Sequence, residues 1–282
     1  IESVENFLES LPAAISCVKL PFWDIHWFYV AKKAQTISKD IISGNGGDEL
    51  FGGYVFRYSK FLSLVNEKSS PLEKIKAYLE CHNRDFIPEQ IQVFDKKSNF
   101  SWDMIYKIFY PYFDNSLPIL NQVLLADYNG KLLHNFTFVN KKINEHFNIR
   151  EIMPILSPNL ISYSSHLDPK YKYDYENNSG KILLRKLAEK LELSSFIKNE
   201  KQGFSMNTIN LWKKHGKNIC SYFLLDSRAA RDGWISHEWI KKNISQDDID
   251  VRHVNKFFGL LAVEIWYRLF VTNEMSSKEK LE

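Results

Sequence analysis

The sequence has 282 residues, 44% hydrophobic and 15% aromatic, which is enough to bury a globular core and too apolar for a disordered or fibrous chain. Its 37 basic and 34 acidic residues are interspersed and leave a formal charge of +3, so no one-signed field of the kind that attracts nucleic acid is expected. Cys17, Cys81 and Cys220 are odd in number and share no CxxC or Cys/His spacing, which excludes a disulfide framework and a zinc site as expectations and fits a reducing cytoplasm. The apolar run from Leu260 to Val263 ends at Glu264, well short of the ~20 residues a membrane span requires. With Ile1 first, and neither an initiator Met nor an apolar leader, the simplest reading is an internal fragment with further sequence upstream.

In chain order, Phe22, Ile25, Phe28 and Tyr29 predict an amphipathic helix from about Pro21 to Lys33, with proline in the first turn and lysines at the end. Asp40-Ile41-Ile42-Ser43 is a short apolar run ending at Gly44 and reads as a buried strand feeding a glycine-rich turn. A helix carrying Leu50, Phe51 and Tyr54 is predicted to start near Asp48 or Glu49. Beyond it the chain reads as helices joined by loops. Leu72, Ile75, Tyr78 and Leu79 form one stripe; Ile182, Leu183, Leu184, Leu187 and Leu191 form another, with Ser179 as a possible cap. Two parallel i+4 rows, Phe257-Leu261-Ile265-Leu269 and Phe258-Ala262-Trp266-Phe270, predict a late helix buried on most of its circumference. The charged, Ser-rich tail from about Asn273 is expected to fray.

Chemistry concentrates between Ser43 and Tyr54, where five of the eleven glycines fall within twelve residues: Ser43-Gly44-Asn45-Gly46-Gly47-Asp48-Glu49-Leu50-Phe51-Gly52-Gly53-Tyr54. A strand, a glycine turn and a helix start in succession can aim backbone N–H groups at one point, a geometry suited to phosphate oxygens. Two acids beside a polyphosphate are compatible with it when Mg2+ intervenes, since that ion takes one or two carboxylates together with phosphate oxygens. The plainer alternative is that Asp48 caps a helix and the glycines make a tight turn.

This segment resembles the SGxGGDELFGGY motif of the asparagine synthetase family, which belongs to the N-type ATP pyrophosphatases. Asn45 is the main departure, standing where family members usually carry an acid. Lys198-Asn199-Glu200-Lys201-Gln202-Gly203-Phe204 resembles the family's K-x-GF segment. Lys172 followed by Asn178-Ser179-Gly180-Lys181 and Leu184-Arg185 resembles its K…GK..LR run, and Glu264-Ile265-Trp266-Tyr267-Arg268 its closing helix. Between Lys141 and Ser157 the usual DR..M and E-x-R-x-P-x-L-D stretches are matched cleanly only at Pro154 and Leu156. No SGGxDSS phosphate loop and no N-terminal Cys glutaminase nucleophile occur in these residues; the resemblance implies that both lie upstream.

What the resemblance implies is an α/β fold, the C-terminal portion of a Rossmann-like adenine-nucleotide-binding domain that is mostly helical in the part present. Residues 1–65 would hold the rear of the nucleotide core, 66–272 a helical remainder, and 273–282 the tail. Its expected ligands are ATP and Mg2+, with Ser43, Gly44, Gly46 and Gly47 against the nucleotide and Asp48 and Glu49 toward the metal. Lys201 would supply the ammonium that stabilises the crowded phosphorus centre of adenylation, and Asn45 could orient a carboxylate by hydrogen bonding alone. The expected reaction is AMP-forming amide synthesis, foremost asparagine from aspartate with glutamine-derived ammonia. Alternatives are β-lactam or lasso-peptide type cyclisation, sugar-acid amidation, and a non-catalytic scaffold relative. No nucleic-acid or membrane partner is expected, and these residues by themselves are not expected to turn over ATP.

Overall fold

The computed structural model describes residues 6–193, 195, 206–246 and 249–282. It is 62% helix and 5% strand, an α/β chain that is mostly helical, in keeping with the fold the resemblance implied. Two compact units form, each assembled from separated stretches: Ile1–Lys33, His82–Trp102 and Phe204–Glu282 in one, Ala34–Cys81 and Asp103–Gly203 in the other. No helix among the described residues is long and apolar enough to cross a membrane.

The first unit is organised by the helix Val251–Phe270, whose start is capped by Asp250 accepting from the N–H groups of Arg252 and His253. Both predicted rows are buried along most of its length, with Phe257, Phe258, Leu261, Ala262 and Ile265 inaccessible, and only the last turn opens to solvent at Phe270. Trp212 stacks on Phe257 at 5.2 Å and Trp239 packs on the same ring at 5.1 Å, so these indoles are core anchors. Glu264 is a buried charge, made tolerable by Ser227 Oγ, the N–H groups of Arg228 and Ala229, and Arg268 Nε, all donating to it.

The helix near residue 21 begins only at His26 and runs to Ala34, its first residue bonded to the Asp24 carboxylate. The tail is docked rather than frayed: Leu281 is 2% exposed, its N–H donates to Glu9 O, and its carbonyl accepts from Asn6 Nδ2. One buried leucine and two backbone bonds outweigh the charged composition around it.

In the second unit Tyr58, Phe61, Ile75, Tyr78, Phe113 and Val123 form the core between the helices Val55–Leu64, Pro71–Glu80 and Ile119–Ala126. Pro71–Glu80 starts with a reciprocal capping box between Ser70 and Glu73. Strand β1 (Asp40–Ile42) pairs in parallel with β2 (Arg150–Ile152), Ile41 opposite Glu151, and Arg150 clamps Asp40 through two bonds of 2.8 and 3.0 Å. The strand expected to be buried is not: Ile42 is 74% and Ile152 40% exposed. Side chains alternate across a strand, and this two-stranded pair covers only one of its faces.

Ser179 is not a helix cap. It pairs with Asp174 in a two-residue antiparallel ladder, β3 (Tyr173–Asp174) with β4 (Ser179–Gly180), and the residue before the helix Ile182–Lys190 is Lys181 at φ 56°. Gly180 brings this ladder against the turn that ends the helix Gly47–Phe51, where an added Cβ would lie 2.1 Å from Gly52 O. Backbone, unlike a side-chain tip, does not yield. Gly180→Ala is therefore expected to lower stability by about 1–3 kcal/mol in urea unfolding. Gly44→Ala, whose Cβ would meet nothing within 4 Å, should stay within about 0.5 kcal/mol of the parent.

Candidate active site on the glycine turn

Ser43 extends the β1 ladder by donating its N–H to Ile152 O at 3.0 Å, and the chain then reverses within four residues as Gly47 N bonds Gly44 O. Gly46 takes φ 88°, a conformation side chains rarely adopt, and an added Cβ there would sit 2.3 Å from Leu156 Cδ2. The N–H groups of Gly44, Asn45 and Gly46 make no hydrogen bond with any described residue. Three successive donors without a partner among the described residues, on a turn with a left-handed residue, leave this loop able to accept an anion such as a phosphate oxygen.

The turn is fixed from β2. Glu151, at the centre of that strand, accepts from Ser43 Oγ at 2.6 Å and Asn45 Nδ2 at 2.8 Å through one oxygen, and from the buried Asn144 Nδ2 at 2.8 Å through the other. The acid missing at position 45 thus has a counterpart across the strand pair, and the Asn45 amide touches it. Asp48 meets Lys181 Nζ at 2.7 Å, both partly exposed. Gly53 makes room for that pair, since an added Cβ would overlap the Asp48 carboxylate and Lys181 Cε.

Glu49 turns the other way. It is 3% exposed and accepts from Tyr54 OH at 2.5 Å, while burial, reinforced by that carboxylate, raises the phenol above its ordinary value. Beneath it, Asp127 accepts from Tyr78 OH at 2.8 Å and pairs with Arg57 Nη1 at 3.3 Å. Burial pushes the Asp127 carboxyl up to about 6 despite the guanidinium. Lys131, with its ammonium 4.0 Å from the Tyr54 ring centre, is pushed down to about 8 by burial and by Arg57. Lys172, also buried, is lowered to about 8 by desolvation.

Of the residues singled out by sequence, Ser43, Gly44, Asn45, Gly46, Gly47 and Asp48 are gathered on one turn, whereas the Glu49 carboxylate points into the interior. Lys201 lies outside the described residues. Among the described residues no group of three or more His, Cys, Asp or Glu could hold a metal ion. Glu151, Asn144 and the Lys181 contact to Asp48 were missed. Their only signal in the sequence was indirect: an acid absent from position 45 and a lysine within the GK..LR-like run.

The asparagine synthase family profile matches residues 2–268, and the chain belongs to that family. No curated protein and no solved structure matches it. Membership makes the chain a synthetase domain of the ligase type at family level, one whose relatives use ATP and small-molecule substrates.

The cluster below the turn gives a pH signature. Because the folded chain holds Asp127 above the ordinary 3.8, the stability linked to its protonated form is complete below pH 3.8 and is lost as pH rises through about 6. Asp127→Asn should remove that loss. Between pH 3.5 and 6.5, the unfolding free energy of the parent is expected to fall by roughly 3 kcal/mol relative to the variant; parallel curves would show that Asp127 does not titrate this way.

Proposed function

We propose that the glycine turn receives the phosphates of Mg-ATP and that the chain serves amide formation through an acyl-adenylate. A carboxylate oxygen attacks the α-phosphorus, the bond to pyrophosphate breaks, and pyrophosphate leaves; an amine then attacks the acyl carbon and AMP departs, the amine proton passing to base or solvent. A free carboxylate is a poor acceptor for amines, and ATP supplies the leaving group. The chain supplies alignment and charge compensation. The observation that carries this reading is the run of three N–H groups that have no partner among the described residues, on a turn whose sequence resembles the family motif.

In this reading Gly44, Gly46 and Gly47 shape the turn, and the N–H groups of Gly44, Asn45 and Gly46 meet phosphate oxygens. Ser43, held by Glu151, fixes where the turn starts. Asp48 is the carboxylate available to Mg2+, with Lys181 beside it to offset pyrophosphate charge. Glu49 keeps the turn in place through Tyr54 rather than binding metal. Lys201, preceding Gly203-Phe204, brings the ammonium that adenylation needs. Asn45 orients the acceptor acid without acting as a base. Aspartate with glutamine-derived ammonia is the reference reaction for the family, and the Asn45–Glu151 contact together with the altered 141–157 stretch favours a different acceptor acid.

The test is pyrophosphate release by the full-length protein with Mg-ATP and a panel of carboxylic acids. Lys201→Ala should cut kcat by about 100-fold or more, in the range of a lost transition-state charge contact, with little change in KM for ATP. Unchanged release would remove Lys201 from the chemistry. Asp48→Asn is expected to raise the Mg2+ concentration for half-maximal rate by about tenfold, corresponding to one lost charge-assisted contact; an unaltered Mg2+ curve would exclude Asp48 as the ligand.

A further inference from the structure

Glu151, whose carboxylate holds the glycine turn, also lines a pocket of about 450 Å³. Its walls are the apolar side chains of Leu133, Phe138, Ile149 and Met153. Asn144 and Glu151 supply polar groups, while Lys141 and Glu145 also line it. All of it is built from one compact unit: the π-helical stretch Asp127–Thr137, the helix Phe138–His146, strand β2 and the residues Ile149 and Met153 that flank that strand. The wide turn of the π-helix is held by Thr137 Oγ1, which donates to the carbonyls of Leu132 and Leu133. A volume of this size takes a small molecule.

Charge sets what that molecule is. Among the described residues every hydrogen-bond donor to Glu151 is neutral: a hydroxyl and two amides. Among the described residues no lysine, arginine or histidine forms an ion pair with it; the neighbouring Arg150 is committed to Asp40 and Lys141 lies 4.0 Å from Glu145. A half-buried carboxylate in this state binds a cation more strongly than it binds a further neutral donor. With one lysine and two acids, the charged side chains lining the pocket sum to −1, which disfavours a second carboxylate on the ligand.

Building on the synthetase reading above, we propose that this pocket selects the acceptor acid: an amino acid with an uncharged, apolar side chain, whose ammonium is taken by Glu151 and whose chain lies against Leu133, Phe138, Ile149 and Met153. Glu151 couples pocket to turn, because the oxygen that would accept from the ligand's ammonium belongs to the carboxylate that positions Ser43 and Asn45. The acid that reaches the nucleotide is then one whose amine is seated first. Aspartate would set its side-chain carboxylate against apolar walls or toward Glu145, at a cost in desolvation and repulsion. An ammonium ion shares the polar half of this chemistry but leaves the apolar walls unfilled.

The test is calorimetric titration of the full-length protein, with a non-hydrolysable Mg-ATP analogue present, against leucine, phenylalanine, aspartate, 4-methylpentanoate and ammonium chloride. Pyrophosphate release is measured in parallel with Mg-ATP. Leucine or phenylalanine should bind at least tenfold more tightly than aspartate, than the amine-free 4-methylpentanoate, and than ammonium. Glu151→Gln should abolish the preference for leucine over 4-methylpentanoate. Met153→Lys removes none of the donors to Glu151, places a cation in the pocket and should shift preference toward aspartate, which keeps the proposal testable if the Gln variant folds poorly. Aspartate binding as tightly as leucine, no gain from the amine, or no acid binding at all would overturn it. Pyrophosphate release with aspartate alone would overturn the pocket assignment and leave the synthetase reading standing. Binding of leucine through Glu151 without pyrophosphate release from any acid would do the reverse.

Discussion

One carboxylate holds the site together. Glu151 accepts hydrogen bonds from both ends of a short stretch of the turn, Ser43 and Asn45, and from Asn144 on the helix behind it. Bonds to a charged acceptor contribute about 1.5–3 kcal/mol each when well formed, so this residue sets where the turn begins and how its amides point. Its own position comes from the β1–β2 register, which places Glu151 opposite Ile41. A slip of one residue would turn Glu151 outward and carry Arg150 or Ile152 to the inner face. The Arg150–Asp40 clamp at the start of the pair resists that slip.

A second set of polar groups supports the turn from below. Glu49, Tyr54, Arg57, Asp127 and Tyr78 are linked by hydrogen bonds, ring contact and charge, and are buried in whole or part among aromatic side chains. Such a network costs desolvation energy and in return admits few arrangements. Directly above it, Asp48 and Lys181 stay partly exposed in the space that Gly53 leaves open. The same two-residue acidic step, Asp48-Glu49, thus sends one carboxylate toward the site and one into the frame, as successive residues of a helical turn must diverge by about 100°.

Much of this was legible in the sequence wherever the physics is local. Glycine density at 44–53, the 3.6-residue rows of Val251–Phe270, and the Ser70/Glu73 cap each express conformational preferences of a few neighbouring residues. Long-range partners were not legible. Glu151 reaches Ser43 across 108 positions, and nothing in one sequence distinguishes that acid from the 33 others. Lys181 looked like part of a motif fragment, yet its left-handed backbone and its reach to Asp48 depend on how the β3–β4 ladder passes Gly52. The exposure of β1 is not legible, because an apolar run reports hydrophobicity and leaves open how many strands cover it. The docking of the tail is hidden for the converse reason, resting on a single buried leucine among charges.

In the proposed function the amides of Gly44, Asn45 and Gly46 are the phosphate donors. A crystal structure of the full-length protein with a non-hydrolysable Mg-ATP analogue tests it most directly. Phosphate oxygens are expected about 2.7–3.2 Å from those nitrogens, with Asp48 near the metal. A triphosphate bound elsewhere, leaving the three amides to water, would contradict it.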